Sequence, residues 1–116
     1  MQLTLTEAQK DLRSGALSPR ELVLGVLDAA NRLDGAIGGY LSIQRDAALA
    51  AAESADVSLP LGGIPIAIKD AIIVEDEPCA AASKMLAGKY IAPYDASVIS
   101  KLRAAGAIPL GRANMD

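Results

Sequence analysis

The sequence predicts an α/β domain in which helices pack on a mixed, partly parallel sheet. Three observations lead there. Residues 64–68 form a short apolar run rich in β-branched side chains, set between a glycine pair and two charges. That is the pattern of a strand buried on both faces. Val98, Ile99, Leu102 and Ala105 recur at helical spacing behind Asp95. Residues 107–110 are a second short apolar run, so strand, helix and strand follow one another as a βαβ crossover with parallel strands.

The elements follow in order. Thr4 and Glu7 have the T-x-x-E spacing of a capping box, Leu5, Ala8 and Leu12 share a face, and Gly15 is a natural stop. Ser18, Pro19 and Glu21 make a stronger start, an S-x-x-E box with proline at the first helical position. Behind it Leu22, Val23, Val26, Leu27, Ala30 and Leu33 form a broad stripe, so the two helices read as a core-packing pair. Residues 34–39 read as a Gly-rich break, 40–43 as a short strand, and the Ala-rich stretch 45–55 as a helix. Residues 56–63 link into the central strand, with Gly62 and Gly63 supplying a turn. Past that strand, Glu75-Asp76-Glu77-Pro78 is a charged, solvated turn whose three carboxylates do not converge on a cation. Residues 79–83 are small, and 83–86 allow one helical turn. Asp95 is the expected N-cap of the last helix and Gly106 its stop. Pro65 and Pro109 count against the two strands, because proline cannot donate to a ladder. The expected organisation is one partial domain, with a helical region carrying a short strand over 1–56 and the start of the βαβ core over 57–116.

Composition narrows the function classes. The chain has 116 residues, 52% of them hydrophobic, with neither Phe nor Trp, so its core is aliphatic. Net charge is −3 and no Lys/Arg cluster stands out, which argues against direct nucleic-acid or membrane-surface binding. No apolar run approaches membrane-spanning length, and the N-terminus lacks a signal-peptide core. Histidine is absent and Cys79 is the lone cysteine, so no internal disulfide, common zinc ligand set or His-based triad can be built. A reducing, cytoplasmic setting fits. Gly88-Lys89-Tyr90 is not a phosphate loop, since position 83 is serine and no Ser/Thr follows the lysine.

Lys69 is the first candidate for chemistry. It ends the 64–68 strand at the sheet edge where ligands collect in open α/β folds. An amine beside a dry strand is a candidate general base. Asp70 points to the other face and reads as a loop-orienting residue. Cys79, with no histidine to activate it, reads as a quiet buried thiol, and Asn114 as a residue that orders the end of the last strand.

Pro60-Leu61-x-Gly63-Ile64-Pro65-Ile66-x-Ile68-Lys69-Asp70 resembles the start of the amidase signature family. Ala82-Ser83-Lys84-Met85-Leu86, Pro93-Tyr94-Asp95-Ala96, residues 102–107 and Gly111-x-x-Asn114-Met115-Asp116 match in the family's order. The resemblance is specific from Leu59 to Asp116. Before Ala55 it rests on element order and on Ser18-x-x-Glu21-Leu22. The Ser83–Leu86 and Asn114–Asp116 pieces are most similar to the glutamyl/aspartyl-tRNA amidotransferase branch of the family, at the N-terminal segment of its amidase subunit.

The resemblance implies an amide hydrolase in which a serine nucleophile is served by a second serine in a cis linkage, and that serine by Lys69. It also implies ammonia release from glutamine, partner subunits B and C of an ATP-dependent complex in protein biosynthesis, and no cofactor. The family's Gly/Ser-rich signature with both serines lies beyond Asp116, and Ser83, Ser97 and Ser100 do not match it. The expectation is therefore a catalytically incomplete segment, or a non-catalytic module that binds a complementary fragment or a partner subunit, or a fragment of another small-amide amidase. Cut from a large sheet, it is expected to be marginal, dimeric or aggregation-prone. The chain departs from the family at Ala71, usually asparagine, at Asp76, usually glycine, at Cys79 and Ala80, usually threonines, and at Arg112-Ala113, usually lysine-threonine.

Overall fold

The computed structural model describes residues 2–115. Its elements are α1 (Leu5–Ser14), α2 (Pro19–Ile37), β1 (Tyr40–Ile43), α3 (Arg45–Glu53), β2 (Pro65–Lys69), α4 (Ser97–Ala104) and β3 (Ile108–Ala113). Both capping boxes form. The Thr4 hydroxyl accepts the Glu7 N–H at 3.2 Å and the Glu7 carboxylate accepts the Thr4 N–H at 2.7 Å. Ser18 and Glu21 exchange the same two bonds at 3.0 and 3.3 Å. These satisfy amides that a helix start otherwise leaves orphaned.

Three strands form one mixed sheet in the order β1-β3-β2, with β2 parallel and β1 antiparallel to β3. The β2–α4–β3 segment is the expected parallel crossover. Apolar side chains gather in three clusters. Val23 and Leu27 of α2 meet Ala48 and Ala52 of α3 and Ile108 and Leu110 of β3. Ala8, Leu12, Leu22 and Ile64 join α1, α2 and the entry to β2. Ile68, Val74 and Ile99 join β2 to α4.

Five expectations need correction. The break at 34–39 is helix as far as Ile37, because one interior glycine costs a helix only about 1 kcal/mol. The turn comes at Gly38, with φ +66°, and the Asp34 carboxylate accepts the N–H groups of Gly39 and Tyr40 at 2.7 and 3.2 Å. The alanine helix ends at Glu53, with residue 55 outside it. Strand β2 is not buried on both faces: it is an edge strand, Ile68 is its one buried residue, and Ala67 and Lys69 are exposed. Asp95 does not cap α4, whose N-cap is Ala96. Its carboxylate accepts the Glu75 N–H at 2.8 Å and pairs with Arg103 at 3.2 Å. Strand β3 continues past Leu110 to Ala113. It can do so because position 111 is glycine: a Cβ there would collide with the Ser42 carbonyl of β1.

Both prolines are accommodated. Pro65 is the first residue of β2. Pro109 stands opposite Ile66, immediately before the pairing slips so that Ala67 faces Gly111, and Leu110 is the extra residue.

Candidate functional site

The carboxyl ends of β2 and β3 lie side by side, with Lys69 paired to Ala113. Asp70 follows Lys69 and is only 3% exposed, and Arg112 only 1%. The Arg112 Nε–H donates to Asp70 Oδ1 at 3.2 Å. The Ala80 N–H donates to Asp70 Oδ2 at 3.3 Å, and the Asp70 carbonyl accepts from Cys79 Sγ at 3.0 Å and from the Ala81 N–H at 3.2 Å. The Asp70 N–H reaches the Ala113 carbonyl at 3.1 Å. One aspartate therefore ties together two strand ends and the loop after them. This is the loop-orienting role expected of it, with a buried arginine partner that sequence reasoning missed.

Glu77 is half-buried at the same spot, its Oε2 3.6 Å from Arg112 Nη1. That is an ion pair, too long for a hydrogen bond. Burial pushes the Glu77 carboxyl above its ordinary 4.5; Arg112 and then Arg103 oppose the rise, and Asp95 adds to it. The Glu75-Asp76-Glu77 turn is thus solvated only at its first two residues. Asp76 has φ +63°, and Ala81 and Ala82 have φ +47° and +64°. Left-handed backbone is costly for residues other than glycine, which gives the usual family glycine at 76 a physical reason.

Lys69 is exposed, and no hydrogen bond or ion pair reaches its amine among the described residues. The dry setting expected for it is corrected: its side of the edge strand is open. The cavity at this end of the sheet, about 240 Å³, is lined by Asp70, Ala80, Ala82, Ser83, Asn114 and Met115, and not by Lys69. Ser97 and Ser100 lie exposed in α4. Asn114 orders the strand end as expected, with its N–H on the Gly39 carbonyl at 2.7 Å and its amide on the Gly38 carbonyl at 3.0 Å. Cys79 is buried and free. Among the described residues no group of three or more His, Cys, Asp or Glu is placed to hold a metal ion. No helix of the described chain is long and apolar enough to cross a membrane.

A buried charge pair beside a strand-end lysine, flanked by a small-residue loop, belongs to a recognisable class of protein. The profile of the family described as Amidase matches residues 21–116, and the chain belongs to that family. Its curated relatives narrow the class to GatA, one of the subunits of glutamyl-tRNA(Gln) amidotransferase. The chain is 50% identical over 116 residues to GatA of Akkermansia muciniphila, covering 100% of this chain and 24% of that one. It is 48% identical over 115 residues to GatA of Methylacidiphilum infernorum, covering 99% and 23%. Its fold superposes on the solved peptide amidase of Stenotrophomonas maltophilia with a TM-score of 0.87, at 28% identity, over 98% of this chain and 25% of that one. The chain thus spans about a quarter of the length of the curated relatives it matches.

Proposed function

We propose that this chain is the lysine-bearing part of an amide hydrolase of the glutamine-dependent, tRNA-linked amidotransferase kind. In that role Lys69 is the terminal base of a relay. It takes a proton through a serine held in a cis linkage, and that serine activates the nucleophilic serine that attacks the glutamine carboxamide. The ammonia set free serves amidation of a tRNA-bound substrate in a complex with subunits B and C. Residues 57–116 form the start of the catalytic βαβ core, and 1–56 brace it.

The observation that supports this most is the fixed backbone under Lys69. It closes a strand whose next residue is locked by the buried Asp70–Arg112 pair, while its own side chain is exposed. A relay lysine must be held by its backbone and left free at its amine for incoming hydroxyls. In a polypeptide carrying this segment together with the family's two serines, Lys69→Ala is expected to lower kcat by at least about 10³-fold with an unchanged fold. Near-normal acylation in that variant overturns the reading. The 116-residue chain alone is expected to release no ammonia from glutamine.

A second reading, a non-catalytic module that docks a complementary fragment, is favoured by one observation. Leu41, Met85, Ile91 and Tyr94 are all more than half exposed. Under this reading the isolated chain self-associates in light scattering; a monodisperse monomer with a cooperative thermal transition counts against it.

A further inference from the structure

Arg112 uses one of its three nitrogens well. Nη1 and Nη2 are buried and have no hydrogen-bond partner among the described residues, and the same is true of Ser42 Oγ on the neighbouring strand. Ser42 and Arg112 are paired across β1 and β3. Buried donors without acceptors are rare in folded proteins and call for an explanation. Both residues border one cavity of about 150 Å³, whose other walls include Leu41, Asp70, Pro78 and Ala87. Lys69 does not line it.

We propose that this cavity binds a small neutral primary carboxamide. The carbonyl oxygen takes the Nη–H groups of Arg112 and shares the Ser42 hydroxyl. The amide N–H groups go to Asp70, whose two carboxylate oxygens each accept a single bond among the described residues and have capacity for more. Charge decides against the alternatives. Arg112 already faces Asp70 at 3.2 Å and Glu77 at 3.6 Å. A carboxylate ligand would be a third negative group around one buried cation, and an amine would meet the guanidinium head-on. A ketone satisfies the arginine and offers nothing to Asp70. Water finds few partners on the apolar walls, although the volume would hold about five molecules. The same volume suits a ligand of about five heavy atoms.

Propionamide, propionate and 2-butanone have that size and differ only in the head group. The test titrates each into the ¹⁵N-labelled 116-residue chain, following the Arg112 Nε–H and Gly88 amide signals. Propionamide is expected to give saturable shifts, 2-butanone to bind several-fold more weakly, and propionate to give none. Ser42→Ala is expected to weaken propionamide about threefold, and Arg112→Lys about tenfold or more. Lys69→Ala is expected to leave binding unchanged, so failure here is separate from failure of the relay reading. If Arg112→Lys does not fold, the ligand order and Ser42→Ala still decide. No saturable shift with propionamide, propionate binding as tightly, or full affinity in Ser42→Ala overturns the site.

Discussion

Around α1 and α2, reciprocal capping boxes close the helix starts, and Ala8, Leu12, Leu22, Val23 and Leu27 fill the interior. Around the ends of β2 and β3 the interior is filled instead by Asp70 and Arg112, with Glu77 half-buried beside them. The first region meets its polar demands locally, within three residues of sequence. The second meets them across 42 residues, leaves two guanidinium nitrogens unpartnered among the described residues, and holds Asp76, Ala81 and Ala82 in left-handed backbone. The difference separates a region built for stability from one that carries strain and unspent hydrogen-bonding capacity, which is where functional sites concentrate.

The contrast can be broken at its strongest point first. Arg112→Met removes one partner of a buried pair and leaves Asp70 uncompensated; urea denaturation is expected to show a loss of about 3–5 kcal/mol. A loss under about 1 kcal/mol would mean that the pair is wet and the two regions are alike. Ser18→Ala strips the cap of α2 and is expected to cost about 1 kcal/mol by the same measurement. Asp76→Gly is expected to act in the opposite direction, raising stability by up to about 1 kcal/mol through relief of the positive φ. The smallest effect is a pH dependence. Because the folded Glu77 carboxyl holds its proton to higher pH than the unfolded one, the folded state binds more protons in that window. Its contribution is present below about the ordinary 4.5 and is lost as pH rises through the elevated folded value. Glu77→Gln is expected to flatten that part of the stability profile.

Legibility in the sequence follows the range of the interactions. Thr4–Glu7, Ser18–Glu21 and the residue 40–43 strand are readable because their signals lie within a few residues. The family motifs around Lys69 are readable for the same reason. Arg112 as a core residue is not: an arginine near a strand end reads as solvated, and its partner is remote in sequence. Asp95 has the sequence of a cap, yet its carboxylate turns to the Glu75 amide and Arg103 rather than to its own helix. The burial of β2 is overestimated because its apolar residues do not tell an edge strand from a central one. The one available hint toward Arg112 is Gly111 beside it, a glycine where two backbones approach closely.

The slip at Leu110 carries a consequence for charge. In parallel pairing, opposed residues share a face, so the extra residue sets Arg112 opposite Ile68 and hence on the side of Asp70. Without it, Arg112 would stand opposite Lys69, and two cations would be neighbours on the open side of the sheet. A one-residue miscount in β3 is therefore what keeps the arginine in the interior and the lysine's surroundings free of a competing positive charge.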